Sequence, residues 1–294
     1  QAAAEALGEL RHPQAVPALL QASQKDNDPR VRQAAAEALG KLGDPQAAPA
    51  LLQDLQEDDD PRVRQDAAEA LGKLRDPQAV PPLLHQLQDE DPMVRQAAAR
   101  ALGKRRDPQA LSALLQALQK DDDPQVREVA AEALGKLGDP QALPALLQAL
   151  QDTDPGVRQA AAEALGELRH PQAVPALLQA SQKDNDPRVR QAAAEALGEL
   201  GDPRAVPPLL QALQNDDDPR VRGAAAWALG ELRHPQAVPQ ILDLLEKAVR
   251  NQHQNIEQIL YTLAKLGDPR GLPLLLELLL KGDDHIRQLA KAAI

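Results

Sequence analysis

Cysteine and phenylalanine are absent from the 294 residues, and tryptophan, tyrosine and methionine occur once each. Without cysteine the chain has neither a disulfide framework nor a thiolate metal site. Without large aromatics a core must be built from Leu, Ala and Val, which suit thin helical layers better than one thick globule. Positive charge is also short, with 33 Lys and Arg against 44 Asp and Glu and a formal net charge of −11. That balance argues against a protein that neutralises nucleic-acid phosphates or coats an anionic membrane, and it favours a partner with a basic surface. No apolar run reaches the roughly 18 residues of a membrane span and no signal peptide opens the chain, so a cytoplasmic location is expected. Gln1 starts inside a helical pattern with no methionine before it, as a piece of a longer protein would.

What the sequence has in abundance is repetition. The glycine of an Ala-Leu-Gly triplet recurs at Gly8, Gly40, Gly72, Gly103, Gly135, Gly166, Gly198 and Gly230, in steps of 31 or 32 residues. A divergent ninth copy puts Ala264 at the glycine position after a step of 34, and a tenth begins at DDHIRQLAKAAI. Periods in this range signal a solenoid, in which each unit buries its apolar face only against its neighbours. Residues 1–40 recur without change at 159–198, so that part of the array reads as spacer or repeated surface rather than as a specialised centre.

Each unit reads as two helices. In DPRVRQAAAEALGKL, Asp28 is an N-cap, Pro29 fits the first helical position, and Val31, Ala35, Ala38, Leu39 and Leu42 share one face. This is the second helix of a unit. The first helix reads DPQAAPALLQDLQ, opened by Asp44 and Pro45, with Leu51, Leu52 and Leu55 as its buried stripe. Its inner proline, Pro49 and equivalents, is tolerable only in a first turn. Acidic turns such as EDDDP join the helices and place negative charge at helix N-termini. The Ala-rich second helices are thinner than the Leu-rich first ones, so closer stacking should put them on a concave surface. The arginines Arg32, Arg64, Arg95, Arg127, Arg158, Arg190, Arg222 and Arg287 form a regular ladder, expected to pair with acidic groups of adjacent units.

The pattern DPxVRxAAAEALGxLGDPxAVPALLxAL, present in nearly every unit, resembles the HEAT-like repeats of the phycobilisome lyase type. The resemblance covers essentially the whole chain. It implies an all-α, right-handed α-solenoid of about nine stacked helix pairs, a single array over residues 1–294 that is regular through residue 232 and divergent over 233–294. For function it implies bilin lyase subunits, deoxyhypusine hydroxylase and scaffold proteins alike. The hydroxylase branch would need a His-Glu pair after the helix arginine, where this chain has Gln33 and Ala34, Gln65 and Asp66, Gln96 and Ala97, and Gly223 and Ala224. No metal and no cofactor is expected.

Catalytic residues are not visible either. The histidines are scattered, with His12, His170 and His234 in the N-cap column where other units carry Asp, and His85, His253 and His285 isolated. The few hydroxyl side chains sit in no nucleophile motif. The expectation is a non-catalytic scaffold or recognition array that binds another protein or peptide on the face of the second helices. The alternative is a lyase-type chaperone that holds a tetrapyrrole and its acceptor protein. A DNA glycosylase of the same repeat type would need a basic surface and is excluded by charge.

Specialisation should lie where units depart from the rule. Aligned on the glycine, one column reads Glu5, Glu37, Glu69, Arg100, Glu132, Glu163, Glu195, Trp227 and Tyr261, so the only Trp and the only Tyr share it. Trp227 lies about 240° round the helix from Val221 and is expected to be exposed. Gly223, one turn earlier, stands where most units have Gln. The candidate site is an aromatic spot formed by Gly223, Trp227, Glu231, Glu257 and Tyr261, with packing of Trp227 over the irregular insertion LEKAVRNQHQNIEQ as the competing reading. A second departure, RALGKRRDP, makes a basic island of Arg100, Lys104, Arg105 and Arg106, read either as ion pairs with neighbouring glutamates or as a docking point for an acidic group.

Overall fold

A computed structural model describes residues 1–74, 76–235, 237–251, 256–281, 287–288 and 291, apart from the side chains of 249–251, 257 and 281. Every described element is an α-helix or a short 3-10 turn. The second helices are Pro29–Leu42, Pro61–Leu74, Pro92–Arg105 and Pro124–Leu137, then Pro155–Leu168, Pro187–Leu200, Pro219–Leu232 and Ile256–Leu266. First helices such as Val16–Lys25, Ala48–Glu57 and Val206–Asn215 alternate with them, giving an all-α solenoid of tandem helix pairs. His253, His285 and most of the tenth copy lie outside the described residues. Contacts group the chain into two compact units, residues 1–145 and 146–294.

Local chemistry sets the helix boundaries. Asp28 takes an extended conformation and its carboxylate accepts the amide hydrogen of Arg30 at 3.0 Å, while Pro29 occupies the first helical position, where no amide is needed. The start of the first helix differs from the sequence reading. Asp44 caps a 3-10 turn at Pro45–Ala47, and the α-helix itself begins at Ala48. Pro49 therefore falls in the first α-helical turn, where its missing amide leaves no broken bond. At the C-termini, Gly43, Gly138, Gly201 and Gly267 adopt the left-handed conformation that ends a helix, and Arg11, Arg106, Arg169 and Arg233 do the same with φ of 45–52°. An L side chain is strained there by roughly 1–2 kcal/mol.

In residues 1–145, the second helices stack on the Ala-Leu-Gly column. A Cβ placed on Gly40 would stand 2.8 Å from Ala70 Cβ and 3.0 Å from its Cα, and Gly8, Gly72 and Gly103 meet Ala38, Ala101 and Ala133 in the same way. Glycine is required by this approach, since only a bare Cα lets backbone meet backbone. In residues 146–294, Gly166 and Gly198 repeat the contact with Ala196 and Ala228. Within each unit the first helices touch one another far less than the second helices do. Leu51 and Leu55, Val63 and Leu71, and Val189 and Leu197 are fully buried in these interfaces. Leu52 and Leu42, placed on the buried stripes by the sequence pattern, are only half-buried.

The arginine ladder links neighbouring repeats. Arg32 donates through Nε and Nη2 to Asp58 at 2.7 and 2.9 Å, and through Nη1 to the carbonyl of Asp26 at 3.1 Å. One guanidinium thus ties its own interhelix turn to the turn of the next repeat, the two-pronged geometry for which Arg is suited and Lys is not. Arg64 and Asp89, Arg95 and Asp121, Arg158 and Asp184, and Arg190 and Asp216 repeat the arrangement. Burial alone would raise the Asp58 carboxyl, but hydrogen bonds from Arg32 and the Asp60 amide outweigh it and hold the group below its ordinary value.

Candidate functional site

The aromatic column lies on two successive second helices, Pro219–Leu232 and Ile256–Leu266. Trp227 is half-buried rather than exposed. Its ring leans back over the preceding second helix, with Cζ3 3.1 Å from where a Cβ on Gly198 would stand. The physical reason is that a helical wheel gives the direction of Cβ alone, whereas a long ring covers bare backbone when a glycine lies within reach. The ring thus meets the glycine of the previous repeat, while the competing reading places it over the insertion LEKAVRNQHQNIEQ, of which residues 252–255 lie outside the described residues.

Tyr261 keeps the exposure expected of the column, with 42% of its surface open. Lys265 Nζ lies 5.9 Å from the centre of its ring and 3.0 Å from Glu231 Oε1. The hydrogen bond to Glu231, reinforced by its charge, holds the Lys265 ammonium above its ordinary value. The structure therefore joins Glu231 and Tyr261 through Lys265, a residue the sequence reading did not single out. Gly223 is open, with no atom within 4 Å of a Cβ built on it. The side chain of Glu257 lies outside the described residues.

This junction departs from the regular stack for a visible reason. Thr262 takes the place of the alanine that meets the glycine elsewhere, and its hydroxyl donates to the carbonyls of Ala226 and Gln258 at 3.0 and 2.9 Å. Lys265 Cβ, 2.9 Å from a Cβ on Gly230, fills the remaining space. The close approach of backbones is replaced here by a polar contact between Thr262 and the Ala226 carbonyl.

At the basic island, two of the four residues serve the fold. Arg100 lies 3.7 Å from Glu69 of the preceding second helix. Arg105 is half-buried and donates to the carbonyl oxygens of Asp76 and Leu71 at 2.7 and 3.4 Å, which satisfies the C-terminal end of the preceding repeat. Lys104 and Arg106 are exposed, and Arg106 is a left-handed helix cap.

A further polar position escaped the sequence reading. The column Ala22, Asp54, Gln86, Ala117, Ala149, Ala180 and Ala212 is interrupted by an acid and an amide, a signal available from the same alignment. Gln86 donates to the carbonyl of Leu55 at 2.8 Å. Asp54 is 4% exposed, and its Oδ2 has no hydrogen-bond partner. Loss of water raises its carboxyl to about 7, against the lowering effect of the Ser23 hydroxyl.

The comparisons with known proteins follow the architecture. The CpcE–CpcF complex of phycocyanin lyase from Nostoc sp. PCC7120 contains a chain 28% identical, with 79% of this chain and 94% of that one aligned at a TM-score of 0.51. YibA of Escherichia coli aligns over 92% of this chain and 96% of its own, with 22% identity and a TM-score of 0.62. Yeast importin-β, Kap95p, aligns over 95% of this chain and 46% of its own, with 19% identity and a TM-score of 0.68. At these identities the last two show the fold alone. A comparison with curated proteins gave no match. The model of HEAT repeats matches at residues 1–71, 49–134, 111–198, 174–256 and 206–294, and with the capped helix pairs and the Gly-Ala stacking it shows that the chain belongs to the HEAT-repeat family.

Proposed function

We propose that this chain is a non-catalytic protein-interaction scaffold that engages a partner protein or peptide with the second-helix face around Gly223, Trp227, Glu231 and Tyr261, Glu257 belonging to the same column of helix. The observation that carries the reading is the pairing of the open Tyr261 ring with Lys265 and Glu231, in a chain otherwise without tyrosine, with Gly223 left open on the preceding second helix. Exposed aromatic and charged groups of this kind frequently dominate binding energy, and truncating one often costs about 2 kcal/mol. The acidic surface suits a basic partner. Complex formation is what the neighbouring folds do in their own settings, CpcE with CpcF and Kap95p with RanGDP.

Affinity capture with the unmodified chain, Tyr261→Ala and Gly223→Gln tests this. A specific partner retained by the first and lost by both variants, with helical circular dichroism unchanged, is the expected outcome. An identical partner set from all three rejects the site. The basic island, with Lys104 and Arg106 exposed, is a secondary docking point for an acidic group, tested in the same way by Lys104→Glu.

A second reading rests on the likeness to the phycocyanin lyase complex. In it the chain holds a tetrapyrrole for an acceptor protein, with Trp227 and Tyr261 beside the pigment. A red-shifted absorption band and quenched Trp227 fluorescence on adding a bilin would support it, and an unchanged bilin spectrum would remove it.

A further inference from the structure

In residues 1–145, a recess of about 380 Å³ opens between the first helices Val16–Lys25 and Ala48–Glu57. Its floor is polar. Ser23, fully buried, and Asp54 face each other from consecutive repeats and both line the recess, and the buried Asp54 Oδ2 has no hydrogen-bond partner. Most other charges on the wall are already engaged. Asp58 and Asp59 take the Arg32 guanidinium, Asp26 accepts the Asp28 amide at 3.0 Å, and Glu57 accepts from Gln53 at 3.0 Å. Gln24 donates to Gln53 at 3.1 Å across the mouth. Lys25 is exposed at the rim, and Arg64, from the second helix behind, is turned to the carbonyls of Asp58 and Asp59.

The duplicated block supplies an internal comparison. Residues 1–40 and 159–198 are identical, so Ser181, Gln182, Lys183, Asp184 and Arg190 stand where Ser23, Gln24, Lys25, Asp26 and Arg32 do. In that copy the facing helix carries Ala212 in place of Asp54 and Asn215 in place of Glu57, and the recess measures about 170 Å³. The same wall thus occurs twice, once with a buried acid in front of it and once without.

We propose that the recess at Asp54 is a binding site for an organic cation, an alkylammonium or guanidinium head, with Asp54 as its counter-ion and the Gln24, Gln53 and Glu57 side chains as further acceptors. A buried carboxyl with an orphan oxygen is unfavourable on its own and is relieved by a charged donor that fits. A metal ion fits less well, because among the described residues no three carboxylate or imidazole groups converge on a point. The exchange balances: below about pH 7 the neutral carboxylic acid of Asp54 releases one proton to solvent as the cation enters, above it the carboxylate is already ionised and none is released, and in both cases a carboxylate–ammonium pair forms. A free amine and a basic side chain of a partner protein are two sources of this head group, and the inference stands whether or not the scaffold reading does.

The test uses dansylcadaverine, a fluorescent primary alkylammonium, titrated into the whole chain and followed by anisotropy at fixed ionic strength. One site per chain is expected, tightening about tenfold from pH 6 to pH 8 as Asp54 ionises in the empty protein. Asp54→Ala and Asp54→Asn, each checked for native circular dichroism, are expected to weaken binding about tenfold or more and to abolish the pH dependence. Displacement by n-butylammonium but not by acetyl-Gly-Lys-Gly-amide identifies a free amine as the occupant, and displacement by both identifies a partner's side chain. No binding, binding unchanged in the Asp54 variants, two equal sites, or equal affinity at the two pH values would overturn the proposal.

Discussion

At the scale of single residues, the informative positions are those that break a column of the repeat. Asp54 folds with its carboxyl raised from 3.8 to about 7. A raised acid binds its proton more tightly when folded, so the folded state is favoured below about pH 4 and progressively penalised as pH rises through 7. At about 1.4 kcal/mol per pH unit the full penalty is about 4 kcal/mol. Asp66, raised to about 6 by burial, acts in the same direction over a narrower range. Replacing Asp54 by Ala should therefore stabilise the chain by ~2–3 kcal/mol more at pH 8 than at pH 5, and urea denaturation at the two pH values measures the difference. An equal effect at both would mean that the carboxyl stays ionised. Arg169 stands in a column shared by arginine and glycine. It holds a left-handed cap at φ 50° that Gly201 fills without strain in the next repeat. Arg169→Gly is expected to raise stability by about 1 kcal/mol, seen as a higher urea midpoint with an unchanged slope.

At the scale of the helix, one residue type has opposite consequences according to what lies across the interface. Gly40→Ala forces a Cβ to within 3 Å of Ala70, whose backbone atoms cannot swing aside. Overpacking of this kind costs roughly 1–3 kcal/mol, only partly offset by the roughly 1 kcal/mol gained in helix propensity. Gly223→Ala meets nothing and should keep that whole gain of about 1 kcal/mol. Thermal melts of the two variants should shift in opposite directions, and a parallel shift would refute the stacking account. The starts of the second helices were legible in the sequence because an Asp-Pro cap acts within one turn, whereas at the first helices the same Asp-Pro pair opens a 3-10 turn and the α-helix begins three residues later. The glycine column was legible as a period, but its cause was not, because the Gly40–Ala70 contact spans two repeats. The lean of Trp227 onto Gly198 and the confrontation of Ser23 with Asp54 were hidden for the same reason: each depends on a partner about one period away and on where a side chain ends.

At the scale of the molecule, each repeat gains its burial only from its neighbours, so stability is distributed along the array rather than held in one centre. The helices that carry the fully buried Leu197 and Leu71 pack against the first helix of their own unit and the second helices on either side. A cavity at Leu197 should thus lower the stability of its neighbourhood without reaching the far repeats. Leu→Ala at a buried site costs roughly 2–5 kcal/mol, comparable to the stability of a few repeats. Leu197→Ala is expected to speed amide hydrogen exchange over about 187–232 while the helices Pro61–Leu74 and Pro92–Arg105 keep their protection, and to broaden the urea transition. Uniform loss of protection along the chain would show a single cooperative body instead. In an array that opens locally, a ligand that bridges two repeats stabilises those repeats first. A cation held at Asp54 should accordingly slow exchange in the helices Val16–Lys25 and Ala48–Glu57 and leave the duplicate block at 159–198, with Ala212 in the facing position, unchanged.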